Sequence, residues 1–478
     1  MSDQPAGRLT RDALGVPGIV FLVLAAVAPL TATVVVVPIG IAVGNGGGIP
    51  GAFVLAVIAL LLFAIGYAQM SRHVVNAGAF YAYVTKAVGP RAGVATAYLA
   101  VLGYNCFMAG ATATSGFFTD FVLDDLFGIN LGWEVWSAIS LAGILILGRR
   151  GVDVSARILG VALVLEVSIL LVMDFSVLFQ EGWDFGAFNP DLVFGSGVGL
   201  GLLFVFTCFL GFEAAALFGE EARDPFTTIP RAIYAAVLIM GAFYIITSLS
   251  AISAFGADEV QGVVNDPETG GPGAMIFNVA GEYLGSFLTD VLQLLLLVSL
   301  FAAFLALHNM ATRYLFALGR ARLLPSALGR TSRRGAPYVA STAQVAFNVI
   351  VVGIFVIGGA DPLLDITASM TGFGTLAIVG LQFAAAVSVV VFFRRRHDPH
   401  IWSTFIAPGL AACALATVFI LAVANFNTLA GSEADVIGLL PWLILIVLVV
   451  GVAVAEWLRR NRPERYAALG TEGEEALV

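Results

Sequence analysis

Twelve stretches of the chain are almost uninterruptedly apolar, near residues 17–43, 51–75, 91–118, 133–149, 154–179, 196–219, 230–255, 284–318, 338–359, 364–393, 403–425 and 436–458. A hydrocarbon core about 30 Å thick is crossed by ~20 residues at 1.5 Å per residue, so runs of this length predict membrane-spanning helices. Two runs carry interruptions. The first contains Ala28-Pro29-Leu30-Thr31-Ala32-Thr33, where proline removes a backbone donor and two hydroxyls can replace lost helical bonds. The sixth contains Thr207-Cys208-Phe209-Leu210-Gly211-Phe212, followed at once by Glu213.

A helix broken inside a bilayer leaves unpaired amides at the N-terminus of one half and unpaired carbonyls at the C-terminus of the other. Those groups suit a carboxylate and an ammonium respectively, the two charges of an amino acid. Runs one and six are also the pair that would correspond if two five-helix halves formed an inverted repeat. Pro29 alone is equally compatible with an ordinary kink.

The polar positions between the runs set an orientation. Lys and Arg fall in the two tails and in the loops after even-numbered runs: Arg72 to Arg91, Arg149 to Arg157, Arg223 and Arg231, Arg313 to Arg334, and Arg394 to Arg396. The loops after odd-numbered runs hold acids such as Asp120, Asp184 and Asp258 with no Lys or Arg. Basic residues accumulate on the cytoplasmic side of short loops, so both termini are expected in the cytoplasm of a cell bounded by a bacterial-type plasma membrane.

Composition agrees with the pattern. Of the 478 residues 59% are hydrophobic and 12% charged, which one water-soluble domain could not accommodate. The net charge of -9 is dipolar across the expected membrane and gives no nucleic-acid or anion-binding surface. Cys106, Cys208 and Cys413 lie in apolar runs at no metal-ligand spacing and read as buried packing residues, without a disulfide framework. The first run is too long for the core of a cleaved leader and is expected to be retained. The last twenty residues read as a polar tail without fixed structure.

Ionisable residues inside apolar runs are the sharpest candidates, because a carboxylate at mid-bilayer costs roughly 2.5–3.5 kcal/mol on insertion scales. Glu213 is one, either a functional group or a tie between helices. Glu166 is the other: it follows Arg157 by nine residues, about 13–14 Å of helix, and so lies deep in the bilayer. It reads as a proton carrier, as a ligand of a bound cation, or as a group bonded to a neighbouring hydroxyl, with Ser299 of the eighth run as the nearby candidate. His308 could join a proton relay or simply be a satisfied packing residue.

On the stretches Phe209-Leu-Gly-Phe-Glu213, Glu220-Glu-Ala-Arg-Asp-Pro225 and Ile229-Pro230-Arg231-Ala232, the chain resembles the amino acid–polyamine–organocation superfamily of permeases. Asn76-Ala-Gly78-Ala-Phe-Tyr81-Ala-Tyr83 with Gly89-Pro90, and Arg313-Tyr314 with Ala317-Leu-Gly-Arg320 and Leu324-Pro325, agree in the same order. The likeness covers nearly the whole chain. It implies an all-α polytopic membrane protein of twelve transmembrane helices, with a leucine-transporter-like 5+5 inverted repeat and two C-terminal helices. The parts would be a tail (1–16), a first repeat (17–195), a second repeat (196–400), two further helices (401–458) and a C-terminal tail (459–478).

The resemblance also implies secondary transport by alternating access, with substrate held between the breaks of helices one and six. Ala28, Pro29, Thr31, Ala32 and Thr33 would contribute from the first break, and Thr207, Cys208, Phe209, Leu210 and Gly211 from the sixth. Tyr104 and Asn105 of the third run, and Thr367, Ser369 and Thr371 of the tenth, are further specificity candidates. Coupling is expected at Glu166, Glu213, Ser299 and His308, to a proton in preference to sodium. Phe209, Glu220 and Arg72 are gate candidates, with Glu220, Glu221, Arg223 and Asp224 either paired with the Arg72 to Arg91 segment or simply solvated.

Two departures from the family pattern stand out. Thr31-Ala32-Thr33 occupies a position where many members have a Gly-x-Gly turn, and Gln69 one where a glutamate is frequent; separately, Glu166 stands where several relatives have lysine. The expected partners are a small amino acid or amine, a coupling ion and lipid, with no cofactor and no nucleic acid. Polyamine transport, exchange of related amines and sodium symport are the rival transport modes. An intramembrane enzyme would need a His-Glu-x-x-His, a paired-Asp helix or a nucleotide loop, and none is in the sequence.

Overall fold

A computed structural model of the protein describes residues 15–73, 79–150, 156–212, 224–332, 335–429 and 437–471. Helices account for the ordered elements among these residues, and each apolar run falls on helix. The long helices are α1 (Val16–Val27), α2 (Ile49–Ser71), α3 (Pro90–Phe127), α4 (Trp133–Arg150), α5 (Ala156–Gln180), α6 (Val198–Thr207), α7 (Pro225–Ser253), α8 (Ser286–Arg320), α9 (Tyr338–Ile357), α10 (Ala368–Arg395), α11 (Ala407–Ala424) and α12 (Leu440–Asn461).

Among the described residues nine helices are long and apolar enough to cross a bilayer, or ten if the bent pair Val16–Ala25 and Pro29–Val43 is one span. The protein is therefore a multi-pass membrane protein. α4 falls short because its 18 residues include Glu134, Arg149 and Arg150, and α6 because only ten residues precede its break.

α3 is the central strut, packed on α4, α8, α10 and α12. Small residues let its backbone approach α10: a Cβ on Gly374 would sit 2.7 Å from the Phe107 backbone nitrogen, and one on Gly110 would sit 2.2 Å from Thr371 Oγ1. Lipid gives helices no hydrophobic incentive to associate, so such close backbone contact is what holds them together.

The sequence anticipates the start of α7 at residue 230, around Thr227, Thr228 and Pro230. The helix begins at Pro225, at a first position where a missing N–H costs nothing, and carries Pro230 inside as its sixth residue, where the Phe226 carbonyl loses its intrahelical donor. Cys413 is a second correction: it is exposed on α11, whereas Cys106 and Cys208 are buried. An apolar run alone does not distinguish a lipid-facing position from a core one. The expected structureless tail is also partly helical, at Pro463–Thr471, where Pro463 opens a run of helix formers that packs on α3.

Between α7 and α8 lie two short helices, Val260–Asn265 and Gly271–Leu284, that hydropathy did not single out. They finish the Pro29–Val43 segment. Gln261 Nε2 donates to the carbonyls of Ala42 (3.2 Å) and Gly44 (3.1 Å), and Asn265 Nδ2 to Ala42 (3.1 Å). These bonds satisfy the carbonyls that a helix C-terminus leaves without intrahelical partners.

A broken helix, a carboxylate cap and an apolar cavity

α1 ends at Ala28, whose backbone is left-handed at φ 52° and ψ 75°. Pro29, fixed near helical φ and lacking an N–H, restarts the helix one residue later. The stretch Ala32–Val36 then widens into a π-helix before Val37–Val43 continues as α-helix, with a bend of 42° across the break. π-helical turns inside α-helices concentrate at functional sites.

The amides and carbonyls expected to face a substrate are partly engaged within the chain. Ala32 N–H donates to Ala28 O at 3.1 Å and to the Pro29 carbonyl. The Leu30 N–H, in the first turn after the break, donates to the carboxylate of Glu166 on α5. Ser299 Oγ on α8 donates to Glu166 Oε2 at 3.0 Å, and Thr31 Oγ1 donates to Ser299 Oγ at 3.0 Å. Glu166, Ser299 and the first break thus form one cluster. The carboxylate, 4% exposed, caps the positive end of the restarted helix, where negative charge is favoured.

α6 stops at Thr207, and Gly211 takes φ 110°, a conformation that side chains with a Cβ rarely adopt. Thr207 Oγ1 donates to Leu203 O at 3.0 Å and lies 2.7 Å from Thr375 Oγ1 of α10. Cys208 Sγ reaches Phe204 O. Phe209 is buried between Phe53 (ring centroids 6.1 Å apart) and Tyr244 (5.8 Å), and Leu210 is half-buried. Glu213, Glu220, Glu221 and Arg223 lie outside the described residues.

A cavity of about 70 Å³ lies beside the first break. Thr31, Val35, Val36 and Ile39 line it from the Pro29–Val43 segment. Phe107, Ala111 and Thr114 come from α3, Phe204 from α6, and Leu300, Ala303, Phe304 and Leu307 from α8; Thr367 and Thr371 complete it. Among the described residues no charged side chain lines it. Its polar groups are four threonines, two of them tied together: Thr114 Oγ1 and Thr367 Oγ1 are 3.0 Å apart, and Thr114 also donates to Gly110 O.

Of the residues named for substrate from the two breaks, Thr31 lines this cavity. Ala28, Pro29, Ala32, Thr33, Thr207, Cys208, Phe209, Leu210 and Gly211 do not. Thr33 is buried, and its hydroxyl has no partner among the described residues. Tyr104 stacks on Tyr314 at 5.0 Å, and Asn105 Nδ2 donates to Val101 O at 2.8 Å; neither faces the cavity. Thr367 and Thr371 do, while Ser369 hydrogen-bonds Asp365 O.

The lining residues missed in the sequence share one rule. Leu300, Ala303, Phe304 and Leu307 follow a helical i, i+3, i+4, i+7 stripe, as Phe107, Ala111 and Thr114 follow i, i+4, i+7. In a helix apolar on every side, such a stripe carries no mark of its own.

His308 is separate from this cluster. Its Nδ1 lies 2.6 Å from Gln344 Oε1 and its Nε2 2.9 Å from Ser341 Oγ, both on α9. Arg91 forms an ion pair with Glu456 of α12 at 2.7 Å, while Glu220, Glu221 and Arg223, the expected inner-gate partners of the Arg72 to Arg91 segment, lie outside the described residues. Asp224 accepts from Thr227 Oγ1 at 2.8 Å, and Arg72 is exposed at the end of α2. Among the described residues no group of three or more His, Cys, Asp or Glu could hold a metal.

The fold resembles that of a manganese transporter from Eremococcus coleocola, with a TM-score of 0.52 over 97% of this chain and 98% of that one, at 11% identity. In sequence the chain is similar to the branched-chain amino acid permease BcaP of Lactococcus lactis subsp. cremoris, at 27% identity over 65% of this chain and 69% of that protein. It is 23% identical to BcaP of Bacillus subtilis, over 84% and 85% of the two chains. It is also 24% identical to the low-affinity putrescine importer PlaP of Escherichia coli, over 69% and 71%. The amino acid permease family profile matches residues 18–466, so the chain belongs to the amino acid permease family and is a membrane transporter, not an enzyme.

Proposed function

We propose that this protein takes up a neutral amino acid with a compact aliphatic side chain by alternating access, driven by protons that bind Glu166. The observation that carries the substrate class is the cavity: small, walled by Val, Leu, Ile and Phe, and bordered by threonines with no acid or base among the described residues. A diamine or a cationic side chain would be desolvated there without a counter-charge, at a cost of several kcal/mol. Two relatives described as branched-chain amino acid permeases favour the same class.

In this reading twelve helices span the plasma membrane with both termini cytoplasmic. Residues 17–195 and 196–400 form inverted five-helix repeats, 401–458 add two helices, and 1–16 and 459–478 are tails. Ionised Glu166 holds the restarted first helix through Leu30 N–H and, by way of Ser299, through Thr31. A proton on the carboxylate weakens the attraction to the helix N-terminus and loosens the hinge at Ala28. Proton occupancy and the angle of the first helix are thereby linked. Sodium symport is disfavoured because the described neighbours of Glu166 supply two hydroxyls and one amide, a donor where a cation needs an acceptor.

Uptake into proteoliposomes tests the reading. Labelled leucine, isoleucine or valine should accumulate when the interior is alkaline, with or without sodium. Preferential saturable uptake of putrescine or arginine would refute the substrate class, and a strict sodium requirement would refute the coupling.

A further inference from the structure

α5 carries a second carboxylate. Asp174 lies eight residues beyond Glu166, about 12 Å along the helix, and is 0% exposed. Thr247 Oγ1 of α7 donates to its Oδ2 at 2.7 Å, and Ser250 Oγ donates to its backbone carbonyl at 3.3 Å. Oδ1 has no hydrogen-bond partner among the described residues.

Among the described residues the surroundings offer no neutralising charge. α5 packs against α1, Pro29–Thr31, α7, Gly271–Leu284 and α8. α1 and Pro29–Thr31 bear no titratable group. On α7 the nearest is Tyr244, one turn from Thr247, while Tyr234 and Arg231 lie toward the opposite end. Gly271–Leu284 bears Glu282 and Tyr283, and Tyr283 donates to Glu181 at 3.0 Å. α8 bears Asp290 at its exposed first turn and His308, Arg313, Tyr314 and Arg320 in its second half. A buried carboxylate with one bare oxygen and no cation nearby is costly, whereas the neutral acid is not.

The Tyr244 hydroxyl is also buried without a hydrogen-bond partner among the described residues, and its ring lies 5.8 Å from Phe209 in the turn after α6. It lies within electrostatic reach of both Glu166 and Cys208. Asp174, Thr247 and Tyr244 therefore step along the α5–α7 contact from the Gln180 end of α5 toward Glu166. We propose that Asp174 is a second proton-binding site, a carboxyl that takes a proton from water at the Gln180 end of α5, holds it as the neutral acid and gives it up toward the Glu166 end of the α5–α7 contact when α5 and α7 part. Tyr244 and Thr247 are its positioning residues. The inference rests on proton-driven transport, but not on Glu166 being the group that couples.

The test is infrared spectroscopy of the reconstituted full-length protein, together with the proton-to-substrate ratio in proteoliposomes. At neutral pH a protonated-carboxyl band should be present, shift in deuterium oxide, disappear in Asp174→Asn and persist in Glu166→Gln. Thr247→Val should move that band to higher frequency by removing the hydrogen bond that Thr247 donates. Asp174→Asn keeps the oxygen that accepts from Thr247 and should fold; its proton-to-substrate ratio should fall by about half while substrate exchange continues. A band unchanged in Asp174→Asn, or an unaltered ratio, would overturn the proposal. A band lost only in Glu166→Gln would assign the protonated acid to Glu166 instead. A ratio insensitive to Glu166→Gln but lowered by Asp174→Asn would remove the coupling role of Glu166 and leave this site standing.

Discussion

Two buried polar clusters hang on α8 nine residues apart, about 13 Å along the helix, and they differ in what they hold. Ser299 joins Glu166 to Thr31, so its cluster ties a continuous helix to the first turn after a break. His308 joins α8 to α9 through Gln344 and Ser341, between two uninterrupted helices. The first can change its hydrogen bonds as the segment beyond Ala28 swings, because one partner is a restarted helix. The second has both ring nitrogens bonded, and a Cβ on Gly148 would come within 2.6 Å of His308 Nε2. A titratable residue inside a membrane protein is thus a candidate for coupling when its partners can move, and a fastening when they cannot.

The contrast can be broken most directly at Glu166. Glu166→Gln should abolish the roughly 100-fold accumulation that two pH units can support at about 1.4 kcal/mol per tenfold, while leaving substrate exchange intact. Retention of gradient-driven accumulation would end the distinction between the clusters. The cavity wall comes next: Leu300→Ala should shift preference from leucine toward phenylalanine by some tens of fold, within the roughly 10–200-fold that a small change of apolar volume is worth. Competition of each amino acid against labelled leucine measures it.

Ser299→Ala removes both links of the relay and should weaken proton-dependent uptake by about tenfold, in line with the ~1.5–3 kcal/mol of a hydrogen bond to a charged group. Its pH profile should move while that of His308→Gln does not. His308→Gln should change transport by less than about twofold, because glutamine can still bridge to α9, and should show itself as lower thermal stability of the purified protein. A moved pH profile in that variant would place His308 in the coupling path after all.

Much of the architecture is legible in hydropathy, since a bilayer demands continuous apolar helices and punishes exposed backbone. The runs near 91–118 and 284–318 mark α3 and α8 with ends off by up to nine residues, because amphipathic turns continue a helix beyond the apolar stretch. The breaks at Pro29 and Gly211 are legible for the same reason: proline and glycine act on the backbone locally. The short helix Val260–Asn265 is not, because what holds it is the unpaired C-terminal carbonyls of a distant segment, at Ala42 and Gly44.

The sequence by itself determined that this chain lives in a bilayer, where its helices break, and that Glu166 sits at a depth where charge is expensive; Asp174, in the same apolar run, was not singled out. Those properties depend on the composition of each segment and on backbone chemistry within a few residues. The tertiary structure alone decided that Glu166 caps the helix after Pro29, that Asp174 meets Thr247, and that Thr114 meets Thr367 across 253 positions to border the cavity. Such contacts arise from the rotation of each helix about its axis, and a helix apolar on every face leaves that rotation unwritten in its own residues.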